Sequence, residues 1–198
     1  MVQKKLFINF SALIEYRKLE DISIGLIGYG DIAKEIARTC KFFDMKVFAT
    51  KRNLTQKEEN LDELFTIENI DKMMSKVDYL INIVPSTSKT KYMLSKEKLK
   101  NCKNGCVFIN IGRGDVINEE SILNALDSNW IEKAILDVFE LEPLPKESKL
   151  WDHEKVVITP HISGVTFAKD ISHLFIENLK LFEKNETLKF VVDWNEKY

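Results

Sequence analysis

The junction at Gly28 constrains this chain more than any other feature. A short β-branched run, Ile22 to Ile27 (ISIGLI), gives way to Gly28-Tyr29-Gly30-Asp31-Ile32-Ala33. Two glycines one residue apart, directly after an apolar run, predict a tight turn out of a strand. Beyond the turn apolar residues recur at helical spacing: Ile32, Ala33, Ile36, Ala37 and Cys40 fall on one face, and Lys34, Glu35, Arg38 and Lys41 on the other. The unit is therefore strand, turn, amphipathic helix. The spacing GxGxxA within it matches the dinucleotide fingerprint, with Ala33 in the third small position. Gly28 permits the turn, Gly30 lets backbone approach a pyrophosphate, and Ala33 lets the helix lie close to the sheet with its N-terminal amides toward the phosphate charge. Standing against this is a purely structural turn that binds nothing.

The same alternation continues along the chain. Lys46 to Thr50, Tyr79 to Val84, Cys106 to Ile111, Ala134 to Val138 and Val156 to Thr159 read as strands. Segments near Asn69 to Lys76, Ser95 to Lys100, Glu119 to Leu126 and Phe167 to Glu183 read as helical. Several strands are near-continuous apolar runs, as in a parallel sheet covered on both faces. The predicted fold is an α/β doubly wound parallel sheet of the Rossmann type. With 198 residues, 44% of them hydrophobic, the chain can bury one full core.

Charge and cysteine usage narrow the function classes. Lys+Arg of 29 against Asp+Glu of 31 leaves a net charge of -2 without a long block of either sign, which predicts neither a nucleic-acid nor a membrane partner. No stretch approaches the roughly 20 apolar residues of a membrane span, and no secretory leader is evident. Cys40, Cys102 and Cys106 form no CxxC pair and no four-ligand set, so reduced thiols, no metal site and a cytoplasmic location are expected.

In an NAD site a carboxylate at the end of the second strand, about 20 residues past the first glycine, accepts the ribose hydroxyls. Here that position holds Thr50, Lys51, Arg52 and Asn53. An ammonium and a guanidinium there suit the 2′-phosphate of NADP, so NADP is the expected cofactor, with NAD as the alternative. If Lys51 and Arg52 are ordinary solvated charges, either cofactor is accepted.

Three later segments, INIGRGDVINEE (109 to 120), ILDVFELEPLP (135 to 145) and LWDHEKVVITPHISG (150 to 164), join the glycine turn in a fixed order. With these motifs the chain resembles the D-isomer-specific 2-hydroxyacid dehydrogenase family, which includes glyoxylate/hydroxypyruvate reductases and phosphoglycerate dehydrogenases; the likeness covers about Ile22 to Phe182. The resemblance places the catalytic arginine on Arg113, its histidine on His161 and the histidine's carboxylate partner on Glu142. Reduction of a 2-oxo acid needs these types, because a proton must reach the oxygen as hydride reaches the carbon. A carboxylate orients a histidine acid/base, and a guanidinium holds the substrate carboxylate. Arg113 is also one of only four arginines. For the cofactor, the resemblance implies contacts at Gly28, Gly30, Asp31 and Ile32, at Lys51 and Arg52, and at Val84 and Pro85. It adds Ile111, Gly112 and Arg113, then Asp137 at the nicotinamide end, His161 and Gly164. His153 and His173 are read as surface or helix residues.

Family members carry a substrate domain of about a hundred residues ahead of the glycine turn, where this chain offers 21. The expected division is a lead-in segment over 1–21, a dinucleotide-binding domain over 22–182 and a tail over 183–198 that packs on the substrate domain. The tail's Phe190, Val191, Val192 and Trp194 are apolar, as a docking segment requires. The expectation is a truncated enzyme that reduces a small 2-oxo acid such as glyoxylate or hydroxypyruvate, and a homodimer by resemblance. The alternatives are pairing with a separate substrate domain, and a cofactor-sensing protein without turnover.

Overall fold

The computed structural model describes residues 17–52 and 58–194, so the lead-in segment before Arg17, Asn53 and the last four residues lie outside it. Among the described residues seven strands form one sheet: β1 (Ser23–Ile27), β2 (Lys46–Thr50), β3 (Glu63–Phe65), β4 (Tyr79–Asn82), β5 (Val107–Asn110), β6 (Lys133–Leu136) and β7 (Val156–Ile158). All neighbours are parallel, in the order β3-β2-β1-β4-β5-β6-β7. Helices α1 (Asp31–Phe42), α2 (Ile70–Met74), α3 (Glu119–Asp127) and α4 (Ala168–Glu183) complete the described elements. This is the predicted doubly wound sheet.

The strands read as apolar runs because both faces are covered. Every residue of β1 is buried. One face carries Phe48, Met73, Leu80, Phe108 and Leu126, and the other carries Leu26, Val47, Ala49 and the small residues Ala33 and Ala37 of α1. Ile32, placed by periodicity on that buried face, is instead 62% exposed, because the first turn of α1 projects past the sheet edge into a cleft. The helical turn expected at Ser95 to Lys100 is a 3-10 turn over Lys98–Asn101, and β3 carries no advance signal at all.

The N-terminal strand ends are tied by one buried carboxylate. Asp78 accepts from Ser23 N (2.8 Å), Ser23 Oγ (2.7 Å) and Lys103 Nζ (2.6 Å), and Arg17 pairs with it at 3.0 Å. Burial works against its charge, but these donors outweigh burial and hold the carboxyl well below the usual carboxylate range.

The α4 helix buries none of its residues, and Phe175 and Phe182 stand 64% and 68% exposed on it. The tail folds back to α4 through Asn178, whose side chain exchanges hydrogen bonds with Lys189 N (2.8 Å) and O (3.2 Å). Among the described residues no helix is long and apolar enough to cross a membrane.

Candidate active site

The chain order reverses between β1 and β4, and a crevice opens there at the carboxyl ends of the strands, as it must where successive crossovers leave in opposite directions. It is a cleft of about 1020 Å³, of dinucleotide size. Ten residues expected at the cofactor line it: Gly28, Gly30, Ile32, Lys51, Arg52, Val84, Pro85, Ile111, Gly112 and Arg113. Asp31 is exposed at the start of α1 beside them. Asp137, His161 and Gly164 belong to the neighbouring β6 and β7 loops.

The glycine turn passes a direct test of fit to a dinucleotide. Gly28 has φ +93°, in the left-handed region, and a Cβ there would meet Val84 Cγ1 at 3.0 Å. A Cβ on Gly30 would meet nothing within 4 Å, so any side chain would occupy the space of the cleft itself. The N-terminus of α1 opens at that point, its first amides available to a pyrophosphate. Thr50, where a ribose-reading carboxylate would stand, is buried, and its hydroxyl accepts from Gly28 N at 3.1 Å.

Lys51 departs from its expected freedom: its ammonium is paired with the Glu58 carboxylate. The lysine expected to pair with a 2′-phosphate has a partner within the protein, because the chain returns seven residues later with Glu58. Other lining residues went unnoticed in the sequence, among them Tyr29, Thr87, Thr90 and Asp193. Of these Thr90 had a readable signal, a hydroxyl five residues past Pro85, where its Oγ1 donates to Pro85 O at 2.6 Å and shapes the turn.

Beside the cleft, three loops converge. His161 Nδ1 lies 2.7 Å from Glu142 Oε2, and Glu142 Oε1 accepts from Phe139 N at 2.9 Å. Burial raises the Glu142 carboxyl, but His161, the Phe139 N–H and the charge of Arg113 outweigh this and hold it low. Arg113 follows β5 and donates through Nη1 to Gly112 O at 2.8 Å. Its loop is held from below by two buried amides. Asn110 Nδ2 donates to Arg113 O (3.1 Å), and Asn110 Oδ1 accepts from Gly112 N (3.2 Å) and Asn82 Nδ2 (2.9 Å).

His161 itself sits at φ 52°, an uncommon region for a residue with a side chain. Its amide donates to Asp137 O at 2.9 Å. The buried Asp137 carboxylate meanwhile accepts from Thr159 Oγ1 (2.5 Å), Ile162 N (2.9 Å), Ser163 N (3.0 Å) and Ser163 Oγ (2.6 Å). Four donors use the lone pairs a carboxylate offers. Asp137 thus secures the loop carrying His161. Burial raises its carboxyl, and the donors more than offset this, bringing it down to about 2.

A lowered acid pKa contributes stability that is complete above the unfolded value, about 3.9, and is lost as pH falls through the folded value. Asp137→Asn would turn an N–H toward donors that need an acceptor. It is expected to cost about 2 kcal/mol at neutral pH and to flatten the loss of stability between about pH 4 and 2. Urea denaturation of both proteins across that range checks this, and parallel acid limbs would refute it.

His153 lies in the turn before β7, partly buried, 3.4 Å from Asp127, and His173 is exposed on α4. Among the described residues no three His, Cys, Asp or Glu gather as a metal site.

Residues 2–163 match the family described as D-isomer specific 2-hydroxyacid dehydrogenase, NAD binding domain. A glyoxylate reductase of Pyrococcus furiosus is 35% identical over 167 residues, 83% of this chain and 49% of that protein. The chain thus spans about half the length of the curated relatives it matches. A D-isomer specific 2-hydroxyacid dehydrogenase from Xanthobacter autotrophicus, solved with NADPH, superposes with a TM-score of 0.87 at 28% identity over 93% of this chain and 76% of that one. An NADPH-dependent glyoxylate/hydroxypyruvate reductase from Sinorhizobium meliloti, solved with NADP, gives 0.86 at 28% identity over 93% and 60%.

Proposed function

Because the chain belongs to the D-isomer specific 2-hydroxyacid dehydrogenase family, whose NAD-binding domain it carries, we propose that it is an oxidoreductase that moves hydride between NADP(H) and a small 2-oxo or 2-hydroxy acid such as glyoxylate or hydroxypyruvate. The observation that carries this reading is the 2.7 Å contact of Glu142 with His161 beside a dinucleotide-sized cleft that Arg113 also lines. The nicotinamide, when bound, supplies or accepts the hydride. Glu142 fixes one ring nitrogen of His161 and leaves Nε2 for the proton that the substrate oxygen gains or loses. Arg113 holds the substrate carboxylate and polarises the carbonyl. Asp137 acts on the nicotinamide end through the loop it secures.

The preference for NADP rests on the absence of a carboxylate at the end of β2 and on the guanidinium of Arg52, which lines the cleft there. The relatives solved with NADPH and NADP point the same way. The reading extends, by family likeness, to a cytoplasmic homodimer, and the apolar face of α4 is the docking face for a substrate domain. A second reading, a protein that binds the cofactor without turnover, draws on the glycine turn and the cleft, which serve binding whether or not a reaction follows.

One assay separates them. Absorbance of NADPH, then NADH, is followed with glyoxylate and hydroxypyruvate. Consumption that depends on the 2-oxo acid is expected, faster with NADPH. Bound NADPH without consumption favours the second reading. Activity restored by adding a separately produced substrate domain indicates a divided enzyme.

A further inference from the structure

Two cations follow β2, Lys51 and Arg52, and both line the cleft. The Lys51 ammonium is held by Glu58, whose side chain is only 12% exposed. Chain geometry brings that carboxylate back: Lys51 N donates to Phe65 O at 3.0 Å, pinning the start of the β2–β3 connection beside β3. Tyr29 Oη donates to the neighbouring Glu59 O at 2.7 Å, pinning the same connection over the glycine turn. Burial, and then the charges of Glu58 and Glu59, push the Tyr29 hydroxyl up, so the negative potential of this stretch reaches the glycine turn.

We infer that Glu58 sets how strongly the cleft discriminates between the two nicotinamide dinucleotides: by holding Lys51 it offsets a positive charge that would otherwise meet a 2′-phosphate. An ion pair presents almost no net charge to a third group, whereas a lone ammonium attracts a phosphate strongly at low ionic strength. Glu58 thus takes over, from seven residues beyond Lys51, part of the task that a carboxylate at the end of β2 performs in an NAD site. The cleft keeps a preference for NADPH and still admits NADH. The inference rests on the cofactor reading above and adds the residue that moderates it.

The test is fluorescence titration of NADPH and NADH into the whole chain at low salt, which needs no turnover. Glu58→Gln is expected to raise the ratio of Kd for NADH to Kd for NADPH about tenfold, with NADH nearly unmoved and the gain shrinking at high salt. Lys51→Met combined with Glu58→Gln removes both charges without stranding either, and is expected to keep the parent ratio. A Glu58→Gln ratio equal to the parent's, or equal weakening of both cofactors, overturns the inference, since the pair then only holds the loop. Should Glu58→Gln not fold, the double variant decides: a ratio that falls means that Lys51 reads the phosphate directly, which also overturns it. Arg52→Ala is the control for the underlying reading and is expected to weaken NADPH far more than NADH. Equal losses there overturn the cofactor reading and the inference with it, whereas the expected Arg52 result beside an unmoved Glu58→Gln overturns the inference alone.

Discussion

Gly114→Ala is expected to lower stability by about 3 kcal/mol or more, a fall of about 10 °C in Tm for a chain of this size. A Cβ at that position would lie 1.9 Å from the Phe139 carbonyl carbon, 2.0 Å from its oxygen and 2.5 Å from Glu140 N. These are backbone atoms, so no side chain can rotate away. The close approach has a purpose in the site, because it brings the loop that carries Arg113 against the loop that leads to Glu142. Relief of the clash must part the two loops and with them the guanidinium and the carboxylate. Gly164→Ala makes the control, since a Cβ there meets nothing within 4 Å. Thermal melts of the two variants give the answer. A Gly114→Ala protein that melts within a degree or two of the parent would show that the loops adjust freely.

The second large effect concerns chemistry. His161→Gln is expected to reduce turnover about 10²–10⁴-fold, far more than it weakens NADPH binding, the loss typical of a missing general acid/base. The His161 side chain is half exposed and its hydrogen bond runs to Glu142, so the substitution leaves no cavity and the fold should hold. Glu142→Gln should also slow the reaction, because an amide can turn its N–H toward Nδ1 and reverse the tautomer. Turnover with unchanged kcat in His161→Gln would remove the histidine from the mechanism. Parallel titration of NADPH separates that outcome from a failure to bind cofactor.

How much of this was legible varies from element to element, for physical reasons. Strands β1, β2 and β5 and helix α1 are governed by local pattern: apolar runs that pack on both faces, and a 3.6-residue stripe ending in the small residues that let α1 approach the sheet. Strand β3 is three residues, Glu63–Phe65, too short for any periodicity, and it exists because β2 offers it a free edge to pair with. Ile32 misled because a helical stripe says which residues share a face and not where that face runs past the sheet. Arg113, Glu142 and His161 were legible through motif order alone. Their proximity comes from three loops that leave β5, β6 and β7 at the same edge.

The sequence by itself determined the strand–turn–helix unit, the doubly wound class and the residue types a dehydrogenase needs, because turn chemistry and hydrophobic period act over a few neighbouring residues. Only the tertiary structure decided which charges remain available. It spent Lys51 on Glu58 and Asp137 on the loop that carries His161, and left the apolar face of α4 without burial. The reason is that electrostatic partnership and burial depend on distances through space, which close only when remote segments meet.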